Sequence, residues 1–96
     1  MSRVRVSIAA APLEEVQRQS ALRVQAAFGQ HLRALRHDRS MTLEQLAEGA
    51  DLHPNYVGSV ERGERNVSLF NIWRLAHAFK VEASQLMTGL PAPKAR

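Results

Sequence analysis

The sequence contains no cysteine among its 96 residues. That absence excludes a disulfide framework and a thiolate metal site. No apolar run approaches the roughly 18 residues that a membrane-spanning helix needs. The apolar stretch after the first arginines is too short and too poor in leucine for a signal peptide, so we expect a cytoplasmic protein. The chain has no alternating pattern typical of strands, which indicates an all-α fold. It also has no internal repeat.

The chain does have a normal globular share of hydrophobic residues, 45%, and an excess of positive charge. Its length is enough for one small domain with a single core, and most of the chain is expected to fold. The formal net charge of +4 favours a polyanionic partner such as nucleic acid. Many basic proteins bind no polyanion, so the charge supports this interpretation only modestly.

A proline and two acidic residues indicate where the first helix starts. Pro12 is preorganised for a first helical turn, and Glu14 and Glu15 suit the positive end of the helix dipole. The pattern predicts either one long helix over about 13–37 or two helices broken near Ser20. Apolar residues at three- and four-residue spacing predict its buried face: Val24, Ala27, Phe28, Leu32 and Leu35.

The same signals divide the chain into four parts. Residues 1–12 are predicted to be a flexible basic arm, whose two arginines either touch a phosphate backbone or stay solvated; the solvated alternative is favoured because termini are usually poorly ordered. Residues 13–25 form a helical extension of the first helix, residues 26–90 form the domain, and residues 91–96 form a disordered, proline-containing tail.

Residues 42–63, TLEQLAEGADLHPNYVGSVERG, predict two short amphipathic helices joined by a tight turn. Thr42 and Gln45 match a capping box, Asp51 tolerates the left-handed conformation that a reversal needs, and Pro54 begins the second helix. Such a pair forms a helix-turn-helix, which places its second helix in the DNA major groove. The residues expected to face outward from that helix are Asn55, Gly58, Ser59 and Arg62.

Two further helices follow, over about 68–80 and 82–87. The longer one carries a broad apolar stripe, which predicts that Trp73 and Phe79 are core residues. The whole stripe consists of Leu69, Ile72, Trp73, Ala76 and Phe79.

Residues 27–89 resemble the phage-repressor type of helix-turn-helix, the Cro/repressor or XRE family of bacterial regulators. Leu46, Ala47 and the run NYVGSVERGERN at 55–66 carry most of the similarity. The resemblance implies a five-helix, phage-repressor-like DNA-binding domain, here with an N-terminal extension. Controller proteins of restriction–modification systems and antitoxins of this fold are similar in length and in the ERGERN-like segment.

The chain departs from the family pattern at three positions. Asp51 stands where the turn often has glycine, and Leu43 stands where a glutamine often holds a phosphate. His53 stands at the cap of the third helix, where serine or threonine is common, and histidine is the poorer cap. These departures leave the expected fold intact but obscure the operator sequence.

The resemblance implies that Asn55, Tyr56 and Ser59 face base edges. Asparagine can pair with adenine through two hydrogen bonds, and serine can pair with several bases. Tyr56 is either such a contact or a half-buried core residue. Arg65 is the favoured phosphate-binding cation, although it could instead reach a base. The complete set expected at helix N-termini and in the nearby loop is Thr42, Arg62, Arg65, Asn66 and Ser68.

The family also implies a structural salt bridge and a dimer. Arg36 and Glu61 match a pair that joins the first and third helices. Leu86, Met87 and Leu90 lie at the end where similar proteins dimerise; in the alternative they close the core of a monomer. A two-fold dimer would set two recognition helices about 34 Å apart, one turn of DNA.

The sequence therefore predicts a transcriptional regulator that binds double-stranded DNA as a homodimer on a roughly palindromic operator. The alternative is an antitoxin-like interaction protein that binds a protein partner through its N-terminal segment, with DNA binding secondary. No enzyme, cofactor, metal or membrane association is expected. The four histidines lack the spacing and acidic partners of a metal site, and the serines lack a nucleophile motif.

Overall fold

The computed structural model describes residues 6–93, with side chains from residue 14 onward. This part of the chain contains five helices and no strand, which confirms the all-α prediction. In chain order the helices are α1 (Val6–Asp38), α2 (Leu43–Ala50), α3 (Pro54–Glu61), α4 (Leu69–Phe79) and α5 (Ala83–Met87).

The first helix is continuous through Ser20 and starts earlier than the sequence predicted. It begins at Val6, so the predicted arm over 1–12 overlaps with seven of its residues; the two arginines of that arm lie outside the described residues. The run SIAAA before Pro12 explains the earlier start, because alanine is the strongest helix former. Pro12 is preorganised for a first turn, but it does not fix where the helix begins.

The core lies between the C-terminal half of α1 and the four short helices. α2 packs against both α3 and α4, α1 packs against α3, and α5 packs against α4 and α1. All five helices contribute buried apolar side chains to one cluster: Phe28, Leu32, Leu46, Ala47, Ala50, Val57, Val60, Leu75, Ala76, Phe79 and Leu86.

Local caps set the angle between α2 and α3. The predicted capping box is confirmed, because Thr42 Oγ1 accepts from Gln45 N at 3.0 Å and Gln45 Oε1 accepts from Thr42 N at 2.8 Å. Asp51 adopts the left-handed conformation at φ 57° and ψ 46°, and its N–H reaches the last carbonyls of α2. His53 caps α3 by accepting from Asn55 N through Nδ1 at 3.0 Å. Histidine therefore fills the position where the family often has serine or threonine.

The apolar stripe of α4 is only half buried, so the prediction for Trp73 was wrong. Phe79 is buried as predicted, but Trp73 is 56% exposed. The packing of α2 and α5 selects the face that carries Leu75 and Phe79, and this leaves Trp73 on the far side of the helix. There it stacks between Phe70 at 5.9 Å and His77 at 5.7 Å between ring centroids, which are its neighbours at helical spacing.

Candidate nucleic-acid interface

Helix α3 is mostly packed inside the domain, and its exposed side chains lie near its two ends. Val57 and Val60 are buried against the core, whereas Asn55 and Arg62 are exposed. Pro54 at the first helical position and the His53 cap fix where the helix starts. The exposed side chains are the ones that a partner lying along α3 would meet first.

Ser59 and Gly58 are buried, contrary to the prediction that they face outward. Ser59 is 3% exposed, because the loop after α3 folds back and lays Arg65 against it. A Cβ at Gly58 would lie 3.3 Å from Arg62 Nη1 and 3.4 Å from Leu43 Cδ2. These contacts depend on the loop and on α2, which is why the helical spacing of α3 alone did not predict them.

A chain of polar contacts links α3, the following loop and α4. Arg65 Nε donates to Ser59 Oγ at 2.9 Å, and Ser59 Oγ donates to the Tyr56 carbonyl at 2.6 Å. Asn71 Nδ2 donates to the Tyr56 hydroxyl at 3.1 Å, and the Arg65 guanidinium carbon lies 5.8 Å from the Tyr56 ring centroid. Asn71 was missed in the sequence; its only signal was a polar residue within an apolar helix.

The predicted phosphate-binding residues fall into two groups. Thr42 and Ser68 cap α2 and α4, and each side-chain oxygen accepts a backbone N–H of its own first turn, at 3.0 Å and 3.1 Å. The remaining first-turn amides and the positive end of each helix dipole suit an anion. The second group lies between these helices: Arg62 directly follows α3 and Asn66 lies in the loop before α4. Both residues are exposed.

Arg62 is already paired with a carboxylate on the surface. Its Nε lies 3.0 Å from Glu64 Oε2, and both side chains are largely exposed. The hydrogen bond from Arg62 lowers the pKa of the Glu64 carboxyl. Such an exposed pair is weak, so it can open when a phosphate competes for the guanidinium. Arg65, in contrast, is held by the neutral hydroxyl of Ser59.

An ion pair between α1 and α3 fixes the end of α3. Arg36 Nε donates to Glu61 Oε2 at 2.7 Å and Arg36 Nη2 donates to Glu61 Oε1 at 3.0 Å; Arg36 Nη1 also donates to the Met41 carbonyl at 3.0 Å. The side chains are 12% and 5% exposed. The hydrogen bond to Glu61 raises the pKa of Arg36 above its ordinary value. The geometry gives this pair a structural position beneath the exposed face of α3.

The three residues predicted at a dimer interface have different surroundings. Leu86 is 2% exposed and belongs to the core of the domain, so the prediction that it lies at an interface was wrong. α5 packs on both α1 and α4, which buries this side chain within one chain. Met87 is exposed and Leu90 is half-buried. The other large exposed apolar side chains of the domain are Leu69, Phe70 and Trp73.

Among the residues with described side chains, no three histidine or acidic residues form a group that could hold a metal ion. The search of the described helices for one long and apolar enough to cross a membrane found none.

Comparisons with known proteins agree with this geometry. The helix-turn-helix family model matches residues 32–86. Control protein C.BamHI of Bacillus amyloliquefaciens is 44% identical over 61 residues, which cover 62% of this chain and 75% of that protein. Control protein C.SmaI of Serratia marcescens is 41% identical over 61 residues, 64% of this chain and 73% of that protein.

The fold also matches a solved structure. The restriction–modification controller protein C.AhdI of Aeromonas hydrophila superposes with a TM-score of 0.64 and 48% identity, covering 65% of this chain and 94% of that one. Residues 32–86, which the family model matches, contain α2, the turn and α3 together with α4 and the end of α1. The chain therefore belongs to the helix-turn-helix family of XRE-type, DNA-binding transcriptional regulators.

Proposed function

We propose that this regulator binds a roughly palindromic operator as a homodimer, in the cytoplasm, and that it acts by binding without catalysing a reaction. The observation that carries the proposal is the first turn of α3, which exposes Asn55, together with the hydrogen bond that holds Arg65 to Ser59 of the same helix. A helix held this way by a tight turn fits the major groove. Two such helices related by a two-fold axis would read two half-sites about 34 Å apart.

Asn55, Tyr56 and Arg65 are the proposed contacts to the operator on the recognition side. The amide of Asn55 can form two hydrogen bonds to an adenine edge. The Tyr56 hydroxyl accepts from Asn71, which leaves its own O–H to donate to a phosphate or base. Phosphate contacts then anchor the domain on both sides of α3, through Thr42, Arg62, Asn66 and Ser68.

The exposed apolar face of α4 supports the dimer. Leu69 and Phe70 are 81% and 57% exposed, and they share this face with Trp73. A monomer would leave these side chains in water, and clustered apolar exposure marks an interaction surface. Because Leu86 is buried, we place the centre of the interface on this face of α4, with Met87 and Leu90 as further candidates.

The similarity to control proteins supports a narrower assignment. C.BamHI and C.SmaI are control proteins, and C.AhdI is a restriction–modification controller. We propose that this chain likewise controls genes of a restriction–modification system. An operator upstream of methyltransferase or endonuclease genes would support the assignment, whereas operators confined to unrelated genes would contradict it.

A selection experiment tests the DNA-binding proposal. Purified protein is incubated with sheared genomic DNA at physiological salt, and the retained fragments are sequenced. We expect an enriched inverted repeat whose half-sites are one helical turn apart. Asn55→Ala should relax sequence choice while non-specific binding persists, because base contacts specify and phosphate contacts position. Uniform, salt-sensitive retention of all fragments would overturn the proposed sequence specificity.

Sedimentation equilibrium tests the dimer. Trp73→Glu places a charge on the exposed face of α4 and should shift the protein from dimer to monomer. Leu22→Glu is the matched control, because Leu22 is 45% exposed on the N-terminal half of α1, and it should leave the dimer intact. A dimer that survives Trp73→Glu but dissociates in Leu22→Glu would place the interface on α1 and contradict the proposed one.

A further inference from the structure

The hydroxyl of Ser59 both donates and accepts a hydrogen bond inside the protein. It donates its one hydroxyl proton to the Tyr56 carbonyl at 2.6 Å and accepts from Arg65 Nε at 2.9 Å. A serine has a single O–H to donate. With 3% of its surface exposed, Ser59 has neither a free proton nor the position to read a base edge.

Arg65 gains a fixed orientation from the same contact. The bond to Ser59 uses Nε alone, and the Nη1–Nη2 edge carries the four remaining N–H groups of the planar fork. The Tyr56 ring at 5.8 Å from the guanidinium carbon adds a cation–π contact on one side. A guanidinium restrained in this way loses less conformational freedom when it binds two acceptor atoms at once.

Tyr56 is restrained in turn from α4. Asn71 Nδ2 donates to its hydroxyl at 3.1 Å, and the backbone N–H of Asn71 is held by the Ser68 cap at 3.1 Å. The cap of α4 therefore fixes the residue that orients the tyrosine. Arg65 and Tyr56 are consequently positioned by two different elements, the buried side of α3 and the first turn of α4.

We propose that Ser59 and Asn71 are positioning residues: Ser59 orients Arg65, and Asn71 orients Tyr56, so that the Nη1–Nη2 edge of Arg65 meets a pair of acceptor atoms on DNA. The pair is either O6 and N7 of a guanine or two oxygens of one phosphate, since both present two acceptors to the guanidinium fork. The inference rests on the proposed placement of α3 against DNA and replaces the direct base contact expected of Ser59.

A double-mutant cycle tests the role of Ser59, with the duplex recovered by the selection experiment as the probe. Ser59→Ala should weaken binding about tenfold when Arg65 is present, the size expected for losing a hydrogen bond to a charged group. In the Arg65→Ala background the same substitution should change the dissociation constant less than about twofold, because its target is gone. Equal losses in both backgrounds, or no loss in either, would overturn the inference.

Two controls separate positioning from a structural effect. Thermal unfolding should show that Ser59→Ala remains folded, since alanine fits the serine cavity. Arg65→Met keeps a long side chain but has no N–H for Ser59, so Ser59→Ala should be silent in that background too. An effect of Ser59→Ala that persists with methionine would show that Ser59 acts without Arg65 and would contradict the proposal.

A second double-mutant cycle tests the role of Asn71. It uses Tyr56→Phe, which removes the hydroxyl and keeps the ring. Asn71→Ala should weaken binding in the presence of Tyr56 and have no further effect in the phenylalanine background. Additive losses would overturn this half of the proposal, because they would mean that Asn71 acts independently of the Tyr56 hydroxyl.

Modified duplexes identify the acceptor pair. If Arg65 binds guanine, replacing one guanine by 7-deazaguanine should abolish the loss of affinity caused by Ser59→Ala. The slope of log affinity against log salt should stay unchanged. If it binds phosphate, Arg65→Ala should reduce the slope of log affinity against log salt by about one, and a single methylphosphonate should abolish the effect. Either result supports the proposal that the Nη1–Nη2 edge of Arg65 binds two acceptor atoms. Sensitivity to neither modification would overturn it. Failure of the wild-type protein to select any sequence would instead contradict the proposed function.

Discussion

The two halves of α1 belong to one continuous helix but have different surroundings. Residues 24–38 pack on α3 and α5, and they bury Phe28 and Leu32. In residues 14–23 the exposed Leu22 contrasts with these buried side chains, and Glu15 bonds to Arg18 and Gln19 of the same helix. One half thus owes its stability to tertiary packing, whereas the other relies on helix propensity and local pairs.

The difference also follows the boundary of the family match. The matched helix-turn-helix segment, residues 32–86, includes the end of α1 and all the short helices. The helix of 33 residues is about 50 Å long, close to the 49 Å longest dimension of the molecule. The N-terminal half is therefore a rod attached to a domain, and it is the surface on which we would look for a protein partner.

The largest expected contrast is between the ion pairs of the two halves. Arg36→Ala leaves the Glu61 carboxylate buried without its partner and should lower the free energy of unfolding by about 3–5 kcal/mol. Arg18→Ala breaks the exposed pair with Glu15 and should leave the urea midpoint of the domain unchanged. Equal midpoints for Arg36→Ala and the wild-type protein would contradict the structural role of the Arg36–Glu61 pair.

Gly29→Ala should produce the next largest effect. Alanine is normally the better helix former, yet a Cβ at Gly29 would overlap the Val60 carbonyl oxygen and would lie 2.6 Å from that of Glu61. Because of this overlap with the α3 backbone, Gly29→Ala should destabilise the domain instead of stabilising it. We expect the free energy of unfolding to fall by about 1–3 kcal/mol. Ala21→Gly is the control in the unpacked half and should lower helicity without moving the domain transition. A stabilising Gly29→Ala would mean that α1 and α3 are not locked together.

Removing residues 1–22 should have little effect on the domain. Because tertiary contacts of α1 are made by its second half, we expect the free energy of unfolding to change by no more than about 0.5 kcal/mol. Far-UV circular dichroism should lose the helical signal of the removed part, and operator affinity should be retained. A large loss of stability or of dimerisation would show that the rod is part of the functional assembly.

The smallest effect concerns pH. Hydrogen bonds from Arg18 and Gln19 lower the pKa of the Glu15 carboxyl below its ordinary value. A lowered pKa means that the stabilisation is present above the ordinary pKa and is lost as pH falls through the lowered one. Wild-type helicity should therefore decline slightly more than that of Glu15→Gln in this acidic range. Identical acid titrations of the two proteins would show that this local pair does not support the helix.

Local signals in the sequence predicted the helix boundaries of the domain well. The Thr42–Gln45 capping box and the left-handed Asp51 were recognisable because each depends on only a few neighbouring residues. The start of α1 was harder to predict, because Pro12 and the alanine run before it favour different starting points. Where the deciding interactions lie within one turn of helix, sequence and structure agree.

Burial within the site could not be predicted as well. The spacing of α3 placed Ser59 outward, but the returning loop covers it with Arg65. The stripe of α4 placed Trp73 inward, but α2 and α5 pack on the neighbouring face. The prediction that Leu86 lies at an interface failed for a similar reason, because α5 closes the core of the domain. Each error concerns a side chain whose surroundings come from a distant part of the chain.

The sequence by itself determined the helical class, the caps, the tight turn and the family resemblance, because these depend on local propensity and on the order of short motifs. Only the tertiary structure decided which face of each helix is buried, that Ser59 holds Arg65, and that Asn71 holds Tyr56. These contacts join residues that different elements bring together. Helical periodicity describes the faces a helix offers, but packing against its neighbours selects the one that is covered.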